Sequence, residues 1–211
     1  GFNLQNPMYG PQDLSLIGNN FFNEVMVQYG SAGATWGSGA VGGAIHLNNV
    51  AAYNKGVSVA SGAAFGSFAD LQQHASMEWS KKRFISSLKI SNHTAKNNFP
   101  FQNTGLPEQP IQRQVNAELR QVGILNENYF QIKENQKINI RFWYQNASRN
   151  IPPSLAQVKS VSNQKDESYR ITSEWQRSSE RLLLTIRVGH FYETLIYDDT
   201  IHLIHSENRS K

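Results

Sequence analysis

The sequence contains no cysteine and no long apolar run, and each absence excludes a class of protein. Without cysteine there is no disulfide scaffold and no Cys-ligated zinc or iron-sulfur site. A helix that spans a bilayer needs roughly 18 consecutive apolar residues, and no stretch approaches that length. The net charge of +4 is modest and the Lys and Arg residues are scattered, so nucleic acid is not expected as a partner.

Targeting signals are lacking as well. The chain starts at Gly1 without an initiator Met, a basic region or an apolar signal segment, and it stops abruptly at Lys211. We therefore expect a fragment of a longer protein, cut at both ends.

Two regions of the chain differ in composition. Up to about Asn49 the sequence is rich in Gly and small residues and nearly free of Lys and Arg. After Lys55, seven runs of about 9 to 13 residues alternate between apolar and polar positions, with polar breaks between them. This period of two predicts antiparallel strands, so the predicted fold class is all-β.

The second run, from Leu71 to Trp79, alternates most cleanly, whereas the fourth run changes parity. In the fourth run Leu119 belongs to one set of alternate positions, and Val122 and Ile124 belong to the other. This change predicts a β-bulge near Gln121 or Val122.

The breaks between runs come in two sizes. Residues 80–82, 133–137 and 177–180 are short and charged, whereas residues 94–113 and 150–165 are long and contain prolines. Membrane β-barrels have short periplasmic turns and long extracellular loops, so this rhythm predicts an incomplete transmembrane barrel and its sidedness, with the short break at 66–70 as an exception. Aromatic residues agree: Trp79, Phe84 and Trp175 lie beside short turns, and Tyr144 lies at the far end of its strand. A soluble β-sandwich is the alternative, but its strands average only about five or six residues.

The segment from Val25 to Leu47 reads VMVQYGSAGATWGSGAVGGAIHL and resembles the closing signature of the plug in TonB-dependent outer-membrane receptors. The upstream stretches GFNLQNPMYG (1–10) and DLSLI (13–17) are most similar to cobalamin-receptor-like members. The resemblance implies a small α+β plug segment over residues 1–50 and the first seven or so barrel strands over residues 51–211. Met26, Tyr29 and Ser31 depart from the family pattern, so a plug-to-barrel ion pair through those positions is not carried over.

The same resemblance implies a function. It is energy-coupled uptake of a scarce nutrient (a siderophore, cobalamin, haem or a glycan) across the bacterial outer membrane. The implied partners are the TonB complex, outer-membrane lipid, and a small-molecule or metal-chelate ligand. Residues for ligand contact are expected on plug apices and outer loops. The candidates are Gln5, Asn6, Pro7 and Met8, with Phe99, Phe101 and Asn103; ordinary turn chemistry is the competing explanation for them.

Gly37, Gly39, Gly42 and Gly43 are interpreted as structural turns of the plug, because glycine permits positive φ and close backbone approach. The first three also satisfy the dinucleotide pattern G-x-G-x-x-G. That pattern should open a helix and be followed about 20 residues later by an acidic residue. Here a strand-like stretch follows it, and the interval between Gly43 and Asp70 contains no Asp or Glu. Nucleotide binding is therefore not predicted.

No other motif indicates chemistry. His202 and His205 have no evident third metal ligand, and the Asp198-Asp199 doublet is interpreted as solvated loop acids, with a cation-binding loop as the alternative. We predict no catalytic residues, cofactor or metal, and no enzymatic activity.

Two further functions stay open at this stage. One is a surface receptor that signals or tethers its ligand without transport, and the other is a soluble β-rich adhesin or binding module. The fragment alone is expected to aggregate, because seven strands cannot close a barrel and would leave two unpaired edges.

Overall fold

The computed structural model describes residues 17–18, 20–30, 43–50, 52–157 and 159–210, and these residues form mainly antiparallel β-strands. The strands are β1 (Glu24–Tyr29), β2 (Gly43–Asn48), β3 (Gly56–Phe65), β4 (Leu71–Ser80), β5 (Phe84–Ala95), β6 (Pro100–Gln102), β7 (Ile111–Arg113), β8 (Leu119–Lys133), β9 (Gln136–Asn150), β10 (Asn163–Ser178), β11 (Leu183–Asp199) and β12 (Ile204–Ser210). Eight strands make one sheet in the order β12-β11-β10-β9-β8-β5-β4-β3, and β1-β2 and β6-β7 each form a two-stranded sheet. The predicted all-β class is therefore confirmed, as an open sheet of the kind an incomplete barrel requires.

The seven predicted runs correspond to β3, β4, β5, β8, β9, β10 and β11. The strand β12 was not predicted, because only its first residue, Ile204, is apolar and the rest carry no alternation. The short hairpin β6-β7 lies inside the first long break and was also missed. One end of the sheet, the short-turn end, carries only short connections, at 81–83, 134–135 and 179–182. The other, the long-loop end, carries the two predicted long connections, 96–118 and 151–162, together with short ones at 66–70 and 200–203.

Helical structure is limited, in the described residues, to one 3-10 turn at Ser67–Ala69. None of the helices in those residues has the length and apolar character needed to cross a membrane. The α part of the expected α+β plug segment therefore has no counterpart in the described part of residues 1–50.

The predicted bulge near Gln121 or Val122 is wrong. β8 pairs with β9 in continuous register from Leu119 to Gln131, and the irregularity lies between Gln131 and Lys133. The parity changes for another reason: Leu119 lies on the same face of β8 as Leu125, which contacts the N-terminal segment (described over residues 17–18, 20–30 and 43–50), whereas Val122 and Ile124 lie on the opposite face. Both faces of β8 therefore carry apolar side chains.

The two faces of the eight-stranded sheet differ in chemistry. We call the face that carries Ile85, Leu125 and Trp143 the inner face, because residues of the N-terminal segment pack against it. The core cluster consists of Phe21, Leu125 and Trp143, with Ile17 and Phe22 packed beside it. The opposite, outer face is apolar and mostly exposed, which strict alternation along each strand produces. Its exposed large residues include Val57, Val59, Met77, Leu88, Ile90, Ile140, Phe142, Ile171, Ile186 and Val188.

Aromatic side chains form two rows on the outer face. Near the short-turn end, the ring centroids of Trp79 and Phe84 lie 5.5 Å apart and those of Phe84 and Phe130 lie 5.0 Å apart. Toward the long-loop end lies the tyrosine row, Tyr144, Tyr169 and Tyr192, with centroid distances of 4.8 and 6.3 Å. The tyrosine row is anchored, since the hydroxyls of Tyr144 and Tyr169 both donate to Glu167 Oε1.

Leu125→Ala tests the core on the inner face. Removing a buried leucine leaves a cavity beside Trp143, so we expect the free energy of unfolding to fall by about 2–4 kcal/mol. Ile124→Ala, which truncates the next residue on the outer face, should have a smaller effect because Ile124 is half-buried. Denaturant unfolding followed by tryptophan fluorescence measures both, and equal losses would contradict the assignment of faces.

Candidate functional site

Most of the predicted plug residues lie outside the described residues: Gln5, Asn6, Pro7, Met8, Gly37, Gly39 and Gly42. Gly43 is described, at the start of β2, where it pairs with Tyr29 of β1. Its φ is +149°, and a Cβ on it would lie 2.6 Å from the carbonyl oxygen of Gln28. A side chain is therefore excluded at this point of the β1-β2 hairpin.

The three predicted loop residues Phe99, Phe101 and Asn103 lie together around the β6-β7 hairpin. Phe99 contacts Phe101 edge-on at a centroid distance of 6.4 Å, and it contacts Phe68 at 6.1 Å. Phe68 belongs to the 66–70 turn and has a φ of 60°, a left-handed conformation that costs roughly 1–2 kcal/mol in a non-glycine residue. We call Phe68, Phe99 and Phe101 the aromatic cluster.

Asn103 has a different environment from the two phenylalanines. It is buried, and its side-chain amide donates to Gln112 Oε1 at 3.0 Å and to the carbonyl oxygen of Leu155 at 3.3 Å. Its side-chain oxygen accepts from the backbone N–H of Gly105 at 2.9 Å. Asn103 therefore links the β6-β7 hairpin to the loop at 151–162, and its polar atoms are engaged within the two loops.

The N-terminal segment is seated on the inner face through Phe21. The Phe21 ring lies over Gly123 of β8, where a Cβ would come within 2.7 Å of it. Phe21 and Phe22 both meet the indole of Trp143 edge-on, at centroid distances of 6.4 and 5.6 Å. The absence of a side chain at Gly123 therefore creates the space that a fully buried phenylalanine occupies.

Hydrogen bonds with charged side chains of the sheet also hold the N-terminal segment. The ammonium of Lys89, on β5, donates to the carbonyl oxygen of Phe21 at 2.8 Å, to Asn49 Oδ1 at 2.7 Å and to Asn23 Oδ1 at 3.3 Å. The Asn49 amide in turn donates to Glu127 Oε2, on β8, at 2.6 Å. We call Lys89, Asn49 and Glu127 the clamp, since a neutral carboxamide bridges two opposite charges of the sheet.

The carboxylate of Glu127 is fully engaged. Its second oxygen, Oε1, accepts from Tyr129 Oη at 3.0 Å and from Arg141 Nε at 3.1 Å. Glu127 and Lys89 are both buried, so each charge has the partners that burial requires. Sequence analysis missed this site, although the inward parity of charged residues on three neighbouring strands was a signal for it.

Charged residues continue along the inner face beyond the clamp. Arg187 pairs with Glu174, and Arg170 pairs with Glu193 at 2.6 Å while it also donates to Gln145. A small cleft opens here, lined among others by Arg141, Glu174, Arg187, Gly189 and Phe191. The inner face thus presents opposite charges in alternation, which favours contact with polar surfaces.

The acidic doublet at the end of β11 shapes a turn. Asp199 Oδ2 binds His202 Nδ1 at 2.7 Å and Asp199 Oδ1 accepts from the backbone N–H of Ile201 at 3.0 Å; the contact with His202, more than that with Ile201, lowers the pKa of the Asp199 carboxyl to about 2. Asp198 binds His205 Nδ1, which raises the pKa of that imidazole. In the described part of the chain no three His, Asp or Glu side chains gather as metal ligands.

No protein-family model and no curated protein matches this sequence. Among solved structures, the chain is similar in fold to the siderophore receptor PiuA from Acinetobacter baumannii, with a TM-score of 0.63 and 16% identity. The match covers 82% of this chain and 26% of that chain, so the chain spans about a quarter of the receptor's length. At this identity the likeness concerns the fold.

Lys89→Met tests the clamp. The change removes three hydrogen bonds from a charged donor to the N-terminal segment, which we expect to cost about 3 kcal/mol in total, while Glu127 keeps its ion pair with Arg141. We expect the backbone amides of residues 20–30 to exchange with deuterium about 100-fold faster, measured by mass spectrometry of the full chain. Lys82→Met, in an exposed turn, is the matched control, and unchanged exchange in Lys89→Met would refute the clamp.

Proposed function

We propose that this chain is part of a TonB-dependent outer-membrane receptor that takes up a scarce nutrient into the periplasm. Residues 1–50 would belong to the C-terminal part of the plug and residues 51–211 to the first strands of the barrel. One observation carries the proposal: the N-terminal segment is clamped to the polar inner face of a sheet whose outer face is apolar between two aromatic rows.

The outer face has the dimensions of a lipid-facing band. From Tyr169 to Trp175 along β10 the chain advances six residues, which corresponds to roughly 20 Å. Strands in membrane barrels tilt by about 35–45°, so this span corresponds to roughly 15 Å along the membrane normal, and both rows lie within an apolar band of about 25 Å. The whole of β10 has 16 residues, more than the roughly 9–11 that a tilted membrane strand needs. Lipid would then contact the outer face, while the short turns would face the periplasm.

The contacts on the inner face would allow the plug segment to dissociate from the sheet. Phe21 and the clamp hold the N-terminal segment at closely spaced points. Both charged residues of the clamp, Lys89 and Glu127, belong to the sheet, and the segment contributes only the neutral side chain of Asn49. When the segment withdraws, Lys89 and Glu127 remain beside each other and can pair directly, so no isolated buried charge is left behind. A pull on the plug by the TonB complex would therefore meet a reversible contact.

The ligand class we propose is a ferric siderophore. The fold likeness to a siderophore receptor supports this class over cobalamin, the ligand of the receptors that the plug sequence resembles. The aromatic cluster at the long-loop end, with Phe68 and Phe99 both partly exposed, offers ring faces to a planar ligand. Phe99 and Phe101 remain the proposed contact residues, with Asn103 as their structural support.

The function is tested with the complete gene. We expect its product in the outer-membrane fraction, soluble only in detergent and shifted in electrophoretic mobility by heating. Iron-limited cells should take up a radioactive ferric siderophore through it, and uptake should disappear in a strain that lacks TonB. Recovery of the protein in the soluble fraction would refute the membrane assignment, whereas TonB-independent ligand binding without uptake would indicate a tethering receptor.

Phe99→Ala tests the aromatic cluster. Loss of its two edge-on ring contacts and its ligand-facing surface should weaken ferric siderophore binding by about tenfold, because aromatic pairs contribute about 0.5–1.5 kcal/mol each beyond burial. Phe65→Ala, which truncates an exposed ring on β3, is the matched control. Equal affinities of the two variants in equilibrium binding to outer-membrane vesicles would exclude the cluster from the binding site.

A further inference from the structure

The outer face carries a polar patch inside its apolar band. Ser86 of β5 and Asn126 and Asn128 of β8 point to the same side as Phe84 and Phe130, by strand parity. Ser86 lies directly opposite Asn128 in the register of the two strands. We call these three residues the carboxamide patch.

Apolar side chains surround the patch. Leu88 is the register partner of Asn126 on β5, and Ile140 and Phe142 are the partners of Asn128 and Asn126 on β9. Along β8, Asn128 precedes Phe130 of the aromatic row by two residues, or about 7 Å, and Asn126 precedes it by four residues, or about 13 Å. On the placement proposed above, both carboxamides lie within the hydrocarbon of the membrane.

The patch satisfies only part of its hydrogen-bonding capacity. Asn128 Nδ2 donates to Asn126 Oδ1 at 2.6 Å, and Asn126 Nδ2 donates to the carbonyl oxygen of Ser87 at 3.0 Å. Within the part of the chain that the structure describes, Asn128 Oδ1 and the Ser86 hydroxyl have no hydrogen-bond partner. Polar groups in this state are unfavourable in a lipid environment, which offers neither donors nor acceptors.

We propose that the carboxamide patch is the contact surface for a second copy of this chain in the membrane. A carboxamide both donates and accepts, so the same patch on two copies related by a two-fold axis is self-complementary. Such a contact lets Asn128 Oδ1 of one copy accept from an amide of the other, and polar side chains of this kind hold membrane segments together. The depth of the patch argues against lipid headgroups, which lie beyond the aromatic rows.

The inference rests on the proposed outer-membrane placement, and its test separates the two. Because these 211 residues contain no cysteine, single cysteines can be introduced without a competing thiol from them. The full-length receptor, free of cysteine elsewhere, would carry Asn128→Cys or, as a second reporter in case Asn128→Cys does not fold, Ser86→Cys. Val188→Cys, exposed on the same face of β11 and three strands away, is the matched control.

We expect oxidation of outer-membrane vesicles with copper phenanthroline to convert most of the Asn128→Cys or Ser86→Cys protein to a disulfide-linked dimer, at least tenfold more than Val188→Cys. The double variant Asn126→Leu/Asn128→Leu should lose the dimer that chemical cross-linking captures in the unsubstituted receptor, while uptake is retained. A monomer, a dimer equal to the control, or a link to a different polypeptide would overturn the second-copy contact. Absence of the protein from the outer membrane would instead overturn the proposed function.

Discussion

A lysine on the inner face of the sheet takes all three of its hydrogen bonds from the N-terminal segment. Lys89 obtains them from three points of the N-terminal segment, the carbonyl of Phe21 and the side-chain oxygens of Asn23 and Asn49. Since the same asparagine binds Glu127, one neutral side chain places two opposite charges, and the segment is fixed above β5 and β8. The filled space over Gly123, the burial of Trp143 and the position of the β1-β2 hairpin all follow from that seating.

The remaining architecture separates two environments. Strict alternation directs ion pairs such as Arg170–Glu193 to one face and residues such as Ile171 to the other. Ordinary soluble sheets bury the apolar face, whereas here its large residues are exposed and bounded by aromatic rows. This inversion of the usual arrangement is the one that the proposed lipid-facing barrel requires.

Sequence alone predicted the strands well where alternation was long. The run predicted from Leu71 to Trp79 is β4, which extends from Leu71 to Ser80, because its alternation is uninterrupted. The predicted bulge in β8 was wrong because both faces of this strand carry apolar residues, Leu119 and Leu125 on one face and Val122 on the other, and periodicity alone interprets that as a change of register. The strand β12 was missed because its pairing with β11 relies on backbone hydrogen bonds.

The site was harder to predict than the fold. Lys89 and Arg141 occupy polar positions of alternating strands, but the residues that join them come from distant parts of the sequence. Asn49 lies 40 positions from Lys89 and 78 from Glu127, and its sequence context identifies neither partner. Contacts of this separation are set by how the segment crosses the sheet, which no short motif encodes. Phe99 and Phe101 were chosen because aromatic residues in a proline-rich loop are conspicuous, and their contact with a ligand stays a prediction.

The strands at one side of the sheet continue well past the tyrosine row. From Tyr192, β11 runs a further seven residues to Asp199, roughly 23 Å, and β12 pairs with this extension alone. Asp199 is tied to Ser162 across the neighbouring loop at 3.0 Å, so the projecting hairpin is braced at its tip. In the proposed orientation, this paired extension of β11 and β12 would project above the cell surface at one side of the receptor. A ligand arriving there would meet a hydrogen-bonded wall of fixed height and would have to enter over or around it.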